Sequence, residues 1–371
     1  MPEYIHQHEK WTDFRWQDAA VSAALGEARL LQGRIMGQIH SLGLPSKEER
    51  NLDMLTSDVL NSFRIEGEKL DRDEIRSSVA RRLGMNTAGL VPTSRYTDGI
   101  VEMMLDATQN YREPLTEERL FGWHASLFPT GYSGMNRIAV ARYRTEEMKV
   151  VSGAIGKETV HYEAVPAKDV KAEMERFLSW FNDEDTKIDS VLKSAIAHLW
   201  FITIHPFDDG NGRIARAISD MMLARSEDSA ERFYSLSKQI LAERGEYYGI
   251  LKRTQRGNGD ITGWLVWFLG SLKRALQEAE DGMRNVLLRS AFWEEYKDVR
   301  INERQRMMVN RLFDGLSGKL TSSKWAKMAK CSTDTALRDI SDLVEKGVLT
   351  KGEAGGRSAY YEVAFKTSGQ L

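Results

Sequence analysis

The sequence predicts a mainly α-helical protein with one small β-hairpin. Apolar residues recur at three- and four-residue spacing along most of the chain, which is the pattern of helices that bury one face. The stretch from Ala139 to Val165 is the exception, because β-branched and aromatic residues fall there in short runs separated by Ser152-Gly153 and Gly156-Lys157. We therefore predict a hairpin in this stretch.

The composition is that of an ordinary globular protein. A chain of 371 residues is long enough for two or three hydrophobic cores, and 42% hydrophobic with 29% charged residues is typical of soluble domains. The formal net charge of −2 does not favour nucleic acid or an anionic membrane as a bulk partner. Cys331 is the single cysteine, which excludes an internal disulfide and fits a reducing compartment.

The chain shows no targeting or membrane signal. Residues 1–16 lack the apolar core of a signal peptide, and the most apolar short run, Trp264 to Leu269, is far below the roughly 20 residues that span a bilayer. We expect a cytoplasmic protein without a membrane partner.

The stretch from His205 to Arg216 carries the strongest chemical signal. It reads His-Pro-Phe-Asp-Asp-Gly-Asn-Gly-Arg-Ile-Ala-Arg, and it follows a segment whose apolar residues predict one buried face of a helix. Pro206 disfavours helical geometry at the residue before it, so this helix should end near Ile204 and present His205 at the mouth of a loop. That is a position for a general base.

The second half of this stretch predicts an anion site. Gly210 and Gly212 flank Asn211, so the backbone can adopt positive φ and direct N–H groups at a phosphate. A second helix should begin at about Gly212 and point its positive N-terminus at the same anion. Arg213 and Arg216 are three residues apart and can reach one polyphosphate together. A solvated helix-turn-helix corner would also need an Asn-Gly turn, but it would not need the complete string.

The string resembles the signature of Fic proteins, His-x-Phe-x-(Asp/Glu)-Gly-Asn-Gly-(Arg/Lys)-x-x-Arg, and matches it without a departure. The resemblance implies a Fic-type helical bundle that transfers AMP from ATP onto a Tyr, Ser or Thr hydroxyl of a protein target. His205 would accept the proton of that hydroxyl.

The resemblance also implies how ATP is held. Asp209 would bind Mg²⁺ that bridges the phosphates. The backbone N–H groups of residues 210–212 and the side chain of Asn211 would hold the α- and β-phosphates. Arg213 would contact the β-phosphate and Arg216 the γ-phosphate.

Two further parts of the site follow from the same resemblance. The hairpin would be the flap that docks the target by strand addition, with Val150 and Val151 in its wall; the sequence alone allows a plain surface hairpin. Tyr248 would line the adenine pocket, with Gln255 offering a hydrogen bond to the base. Aromatic residues in such helical patterns are also common in cores, and both interpretations stay open.

An earlier segment contains Ser62-Phe-Arg-Ile-Glu66-Gly67. By composition this is a helix that ends at Gly67 with a solvated glutamate. Some Fic proteins carry an inhibitory helix reading (Ser/Thr)-x-x-x-Glu-(Gly/Asn), and the resemblance implies that Glu66 pairs with Arg216 and displaces the γ-phosphate. Members with this glutamate can also remove AMP from a modified target, so the reverse reaction is an alternative.

The chain is predicted to have three parts. Residues 1–112 form an N-terminal helical region with the inhibitory motif, residues 113–285 the catalytic core, and residues 286–371 a C-terminal domain. The core is predicted to include a helix from Trp264 to Arg284.

The C-terminal domain resembles a winged helix in the order of its elements. Three predicted helices are followed by two short strands that flank Gly355-Gly356, the tip of the wing. The would-be recognition helix, Thr333 to Lys346, holds two basic and four acidic residues, which is the wrong sign for DNA binding. We prefer protein recognition or a homodimer contact, and we keep a non-enzymatic, nucleotide-sensing transcription regulator as the distant alternative.

Overall fold

The computed structural model describes residues 2–39, 44–85, 90–152, 159–313, 319–352 and 360–364. The chain divides into two compact units, Met1–Ala279 and Glu280–Leu371. The predicted turns at Gly153, at Gly156-Lys157 and at Gly355-Gly356 lie outside the described residues. Within the described ranges, no helix is both long enough and apolar enough to cross a membrane.

The described residues contain fourteen α-helices. In chain order they are α1 Asp18–Ile39, α2 Leu44–Ile65, α3 Arg72–Arg82, α4 Arg95–Gln109, α5 Glu117–Leu127, α6 Val170–Asn182, α7 Ser190–Ile204, α8 Asn211–Glu227, α9 Leu236–Ala242, α10 Arg244–Gln255, α11 Thr262–Glu295, α12 Glu303–Phe313, α13 Ser322–Met328 and α14 Thr333–Glu345. The only sheets in the described ranges are two-stranded, which confirms the predicted mainly α fold.

The strands pair as three short antiparallel hairpins. They are β1 Tyr132–Ser133 with β2 Asn136–Arg137, β3 Lys149–Ser152 with β4 Thr159–Glu163, and β5 Leu349–Lys351 with β6 Tyr361–Val363. The predicted hairpin is the second of these, with Val150 opposite Tyr162 and Val151 opposite Val160.

Helix α7 is the centre of the first unit. Its residues from Val191 to Ile204 are all buried, so this mostly apolar helix lies in the interior on all sides. It packs mainly against α8, and α6 covers another side. The side chain of Asp189 caps its N-terminus by accepting a hydrogen bond from Val191 N at 2.8 Å. The buried pair α7 and α8 therefore holds the loop between them, residues 205–210, in a fixed place.

The second unit has its own core. Trp325, Ile340 and Leu343 are buried at its centre, and β5 and β6 follow α14 as the predicted order requires. The name winged helix stays a prediction from that order. Helix α11 corrects the sequence prediction, because it continues past Arg284 to Glu295, so the predicted boundary at 285/286 falls inside a helix.

The structure also changes the charge argument against DNA. Asp339 on α14 is buried and forms an ion pair with Arg304 at 2.5 Å, and Asp342 accepts from Lys346 at 2.6 Å. Lys346 is already part of the charge count of this helix, so Asp339 is the one acidic residue whose charge is offset from outside it, by Arg304 on α12. The sequence count therefore overstates the negative charge that α14 presents to a partner.

Candidate active site

A cavity of about 540 Å³ opens beside the loop between α7 and α8. Its wall joins parts of the chain that are far apart in sequence: the loop itself, the end of α2, the β3–β4 hairpin and α10. The predicted site residues that line it are Glu66, Val150, Val151, His205, Asp209, Gly210, Asn211, Gly212, Arg213, Tyr248 and Gln255. The structure thus brings most of the predicted site into one cavity.

His205 caps the C-terminus of α7. Its backbone has a positive φ of 54°, and its N–H donates to Phe201 O at 3.0 Å, so the helix ends at Ile204 as predicted. Nδ1 lies 3.2 Å from Ile202 O. A carbonyl oxygen can only accept, so Nδ1 carries the proton and Nε2 keeps its lone pair. Burial lowers the pKa of His205 to about 4, which leaves the imidazole neutral and able to accept a proton at neutral pH.

The glycine turn needs its glycine. Gly210 has a φ of +83°, and a Cβ there would lie 2.9 Å from the ring of Phe128. Helix α8 then begins at Asn211, one residue before the predicted start, so its first N–H groups face the cavity.

The side chain of Asn211 corrects the prediction. Its Oδ1 accepts from Phe207 N at 3.0 Å, its Nδ2 donates to Phe207 O at 2.7 Å, and the residue is 2% exposed. In this structure the amide braces the loop across four residues. Only the backbone N–H of Asn211 is left to meet an anion.

His124 is a functional position that sequence reasoning left without a role. Its Nδ1 accepts from Ala141 N at 3.1 Å, so Nε2 is the donor to Asp209 O at 3.2 Å. The ring stacks on Phe207 with centroids 4.3 Å apart, and burial lowers its pKa to about 4. This neutral histidine holds both the backbone and the aromatic anchor of the loop. A single histidine in a helical pattern carries no signal for that role.

Asp209 is the carboxylate available to a metal. Its Oδ2 accepts from Ser133 Oγ, its Oδ1 accepts from Gly210 N at 2.5 Å, and 43% of its side chain is exposed. Among the described residues no group of three or more His, Cys, Asp or Glu could hold a metal by itself. Mg²⁺ commonly takes one or two protein carboxylates and completes its shell with phosphate oxygens and water, so a single exposed carboxylate beside a phosphate loop fits it.

Arg216 is fully engaged by the end of α2. It is 2% exposed; Nε donates to Ser62 Oγ at 2.9 Å, Nη2 to Ser62 O at 2.7 Å and Nη1 to Glu66 Oε1 at 2.8 Å. Burial works to raise the pKa of Glu66, but Arg216 and its other partners outweigh burial and lower it, so the carboxylate is ionised. Gly67 follows with a φ of +88°, which turns the chain away after the helix.

Arg213 is held by a residue that the sequence analysis missed. Its Nη1 donates to Glu68 Oε1 at 2.5 Å, and Tyr96 OH donates to the other oxygen of Glu68 at 2.8 Å. The guanidinium of Arg213 also lies over the rings of Phe63 and Phe128, at 5.1 and 5.0 Å. In the sequence alone, Glu68 cannot be distinguished from a glutamate that is exposed to solvent.

The adjacent tyrosines on α10 have different surroundings. Tyr247 is buried, and its hydroxyl bonds His198 Nε2 at 2.9 Å, so it belongs to the core. Tyr248 is 40% exposed in the cavity, and its hydroxyl donates to Glu66 Oε2 at 3.1 Å. Gln255 also lines the cavity, but it is buried and its Nε2 lies 3.4 Å from Thr203 Oγ1. The sequence missed Arg244, which stacks on Tyr248 at 5.4 Å.

A helical core, a histidine with a phosphate loop, and a hairpin at the same cavity are the parts of a Fic-type domain. Comparison with known families agrees: residues 114–223 match the Fic/DOC family. The chain therefore contains a Fic/DOC family domain. Residues 4–85, which include the Ser62 to Gly67 segment, match a domain of unknown function, DUF4172.

Several curated proteins are similar to parts of the chain. A probable protein adenylyltransferase of Aquifex aeolicus is 27% identical over 213 residues, which covers 56% of this chain and 61% of that protein. The protein adenylyltransferase fic-1 of Caenorhabditis elegans is 41% identical over 58 residues, covering 15% of this chain and 11% of that protein. Each match thus spans less than two thirds of the relative's own length.

Solved structures show the same fold. A Fic family protein from Desulfovibrio desulfuricans G20 has a TM-score of 0.54 and 20% identity, covering 95% of this chain and 97% of that one. A Fic domain containing signaling protein from Bacteroides thetaiotaomicron has a TM-score of 0.50 and 22% identity, covering 68% of this chain and 97% of that one.

Proposed function

We propose that this protein is an adenylyltransferase that moves AMP from ATP onto a Tyr, Ser or Thr hydroxyl of a protein target. The observation that carries the proposal is the cavity lined together by His205, whose Nδ1 is engaged by Ile202 O, the glycine loop and the start of α8. The names of the relatives, which are protein adenylyltransferases, support the same reaction.

The chemistry follows from the residues of the cavity. His205 Nε2 accepts the proton of the target hydroxyl, whose oxygen attacks the α-phosphorus while pyrophosphate departs in line. Backbone N–H groups at residues 211 and 212, at the N-terminus of α8, stabilise the charge on the phosphate oxygens, while the N–H of Gly210 donates to Asp209. Arg213 and Arg216 would hold the β- and γ-phosphates once they are released from their present partners.

Asp209 would hold Mg²⁺, which would offset the negative charge of the phosphates when it is bound. Ser133 and the backbone of Gly210 orient the carboxylate of Asp209 for that contact. Tyr248 would pack against the adenine, and Gln255 would need to rotate from Thr203 to reach the base.

We propose that the enzyme is held at rest by its own N-terminal region. A Cβ built on Gly212 would lie 2.3 Å from Glu66 Oε1, so this carboxylate lies directly over the backbone that a phosphate would use. Glu66 and Glu68 together occupy Arg216 and Arg213. ATP that enters the cavity would meet negative charge where its β- and γ-phosphates belong.

The β3–β4 hairpin would dock the target as an added strand. Val151 is 47% exposed at the cavity wall, and Val150 lines the same wall. An extended target segment paired with this hairpin would bring its hydroxyl towards His205.

A variant with His205→Ala tests the assignment. We expect it to bind ATP as the parent does and to lose AMP transfer, because the base is removed and the phosphate loop is not. The comparison should be made in a Glu66→Gly parent, with isothermal titration for ATP binding and label from α-labelled ATP for transfer. Transfer at the parent rate would exclude His205 as the base.

Removal of AMP from a modified protein is a second candidate, because the ionised Glu66 and His205 line one cavity and could orient a water together. Protein labelled by the Glu66→Gly variant would serve as substrate. Loss of label on adding wild type, but not on adding Glu66→Gly, would support hydrolysis; stable label in both samples would exclude it.

A further inference from the structure

Arg144 is a buried cation whose guanidinium donates hydrogen bonds to backbone carbonyls. It is 2% exposed, and its guanidinium donates to His205 O at 2.8 Å, Glu146 O at 2.9 Å, Ile204 O at 3.3 Å and, at short range, Val165 O. Burial lowers the pKa of Arg144 because the cation loses its contact with water. Burying a charged group destabilises the fold unless the group is hydrogen-bonded, and here each nitrogen of the guanidinium donates to a carbonyl.

These carbonyls belong to two parts of the proposed site. Ile204 and His205 are the last residue and the cap of α7, whose final carbonyls have no partner within the helix. Glu146 lies three residues before β3, and Val165 lies two residues after β4. The guanidinium therefore ties both legs of the hairpin to the backbone of the proposed base. The N–H of Arg144 adds a bond to Pro206 O at 2.9 Å.

We propose that Arg144 is a positioning residue that sets the distance between the hairpin and His205. The inference rests on the proposed function. A target strand paired with the hairpin presents its hydroxyl at a place determined by the hairpin, while Nε2 of His205 is placed by the end of α7. A misplacement of 1 Å between reacting groups can cost about 100-fold in rate. Arginine is required because a lysine ammonium, a single point of charge, cannot span four carbonyls on three segments.

A second contact attaches the hairpin to α7 independently of Arg144. Tyr162 on β4 donates its hydroxyl to Thr203 O at 2.8 Å, and His6 Nδ1 lies 2.9 Å from the same hydroxyl. The middle of the hairpin is thus held independently, so loss of Arg144 should loosen the base of the hairpin without detaching it.

The test compares three variants in the full-length Glu66→Gly parent. Arg144→Met removes every side-chain donor, Arg144→Lys keeps the charge, and Arg225→Met is the matched control. Arg225 is also a partly buried arginine that donates to backbone carbonyls, those of Tyr111 at 2.6 Å and Glu113 at 2.9 Å, and burial lowers its pKa as well. The measurements are ATP binding by titration, self-modification with α-labelled ATP, and hydrogen exchange of peptides that cover residues 145–165.

For Arg144→Met we expect ATP affinity within about threefold of the parent, a fall of about 100-fold in the rate of AMP transfer, and faster exchange in the hairpin peptides. Arg144→Lys should remain at least about tenfold slow. Arg225→Met should keep the parent's rate of AMP transfer and its hydrogen exchange in the hairpin, even if its melting temperature falls as far as that of Arg144→Met.

Transfer by Arg144→Met within threefold of the parent, a loss of ATP binding that matches the loss of rate, or unchanged hairpin exchange would each overturn the proposal. If the Glu66→Gly parent transfers no AMP, the proposed function fails, and hydrogen exchange alone decides the role of Arg144: unchanged exchange refutes it and faster exchange limited to the hairpin supports it.

Discussion

Replacing Glu66 with glycine should turn the enzyme on. The change removes the carboxylate that accepts from Arg216 Nη1 at 2.8 Å, from Tyr248 OH at 3.1 Å, and that overlies Gly212. Arg216 is 2% exposed and the side chain of Glu66 is 30% exposed, so water screens this pair little. A hydrogen bond to a charged group under these conditions contributes about 1.5–3 kcal/mol. If that free energy separates the resting from the competent site, the variant should transfer AMP about 10- to 150-fold faster.

The assay is self-modification with α-labelled ATP, followed over time at ATP concentrations that bracket the dissociation constant measured for each protein. Glu66→Ala serves as a control for the extra backbone freedom beside Gly67, and it should be activated to a similar extent. Ser62→Ala removes only the hydroxyl that accepts from Arg216 Nε at 2.9 Å and should be activated less. An increase below about threefold in a folded Glu66→Gly variant would refute the idea that this carboxylate restrains the site.

Three further outcomes are expected. In the Glu66→Gly parent, protonation of His205 should leave the rate of AMP transfer unchanged from about pH 8 down to pH 5, and the rate should fall through about pH 4. The lowered pKa of His205 keeps its imidazole unprotonated above that value. A midpoint near 6.5 in a pH-rate profile would contradict this. Adding Glu68→Gln to that parent should raise transfer by up to about fivefold, since Glu68 is 38% exposed and its pair with Arg213 is partly screened; a loss of transfer would show that Glu68 supports the active site instead. Phe207→Ala should lower the free energy of unfolding by about 3–5 kcal/mol in urea titration, because the fully buried ring stacks on His124; a change below about 1 kcal/mol would mean that the loop does not depend on this anchor.

The local features of the site could be predicted from the sequence. The end of α7 at Ile204 follows from Pro206, and the positive φ of Gly210 follows from a turn that only glycine adopts without strain. Each of these depends on neighbours within a few residues. The hairpin around Val150 and Tyr162 was predictable for the same reason, from β-branched runs in a helical chain.

The contacts between distant segments could not be predicted in that way. Glu66 and Arg216 are far apart in sequence, and only the family resemblance suggested their pairing. Glu68 and Arg144 look like solvated surface charges, because nothing in their neighbourhood reveals a partner from another helix or a ring of carbonyls. Asn211 was placed on the phosphates by resemblance, while its side chain had a closer partner in Phe207. Side-chain direction in a tight turn depends on packing, and packing is set by the whole fold.

The position of Glu66 over Gly212 has a consequence for how the protein would respond to ATP. Glu66 and the terminal phosphates would compete for one place, so closing the restraint and binding ATP productively exclude each other. The apparent dissociation constant for productively bound ATP is then the intrinsic constant divided by the fraction of molecules in which Glu66 has left this place. By linkage, ATP opposes the restraint to the same extent that the restraint opposes ATP. Such an enzyme reaches half-saturation at a higher ATP concentration, and the strength of one ion pair decides where that midpoint lies in the range of ATP levels it meets.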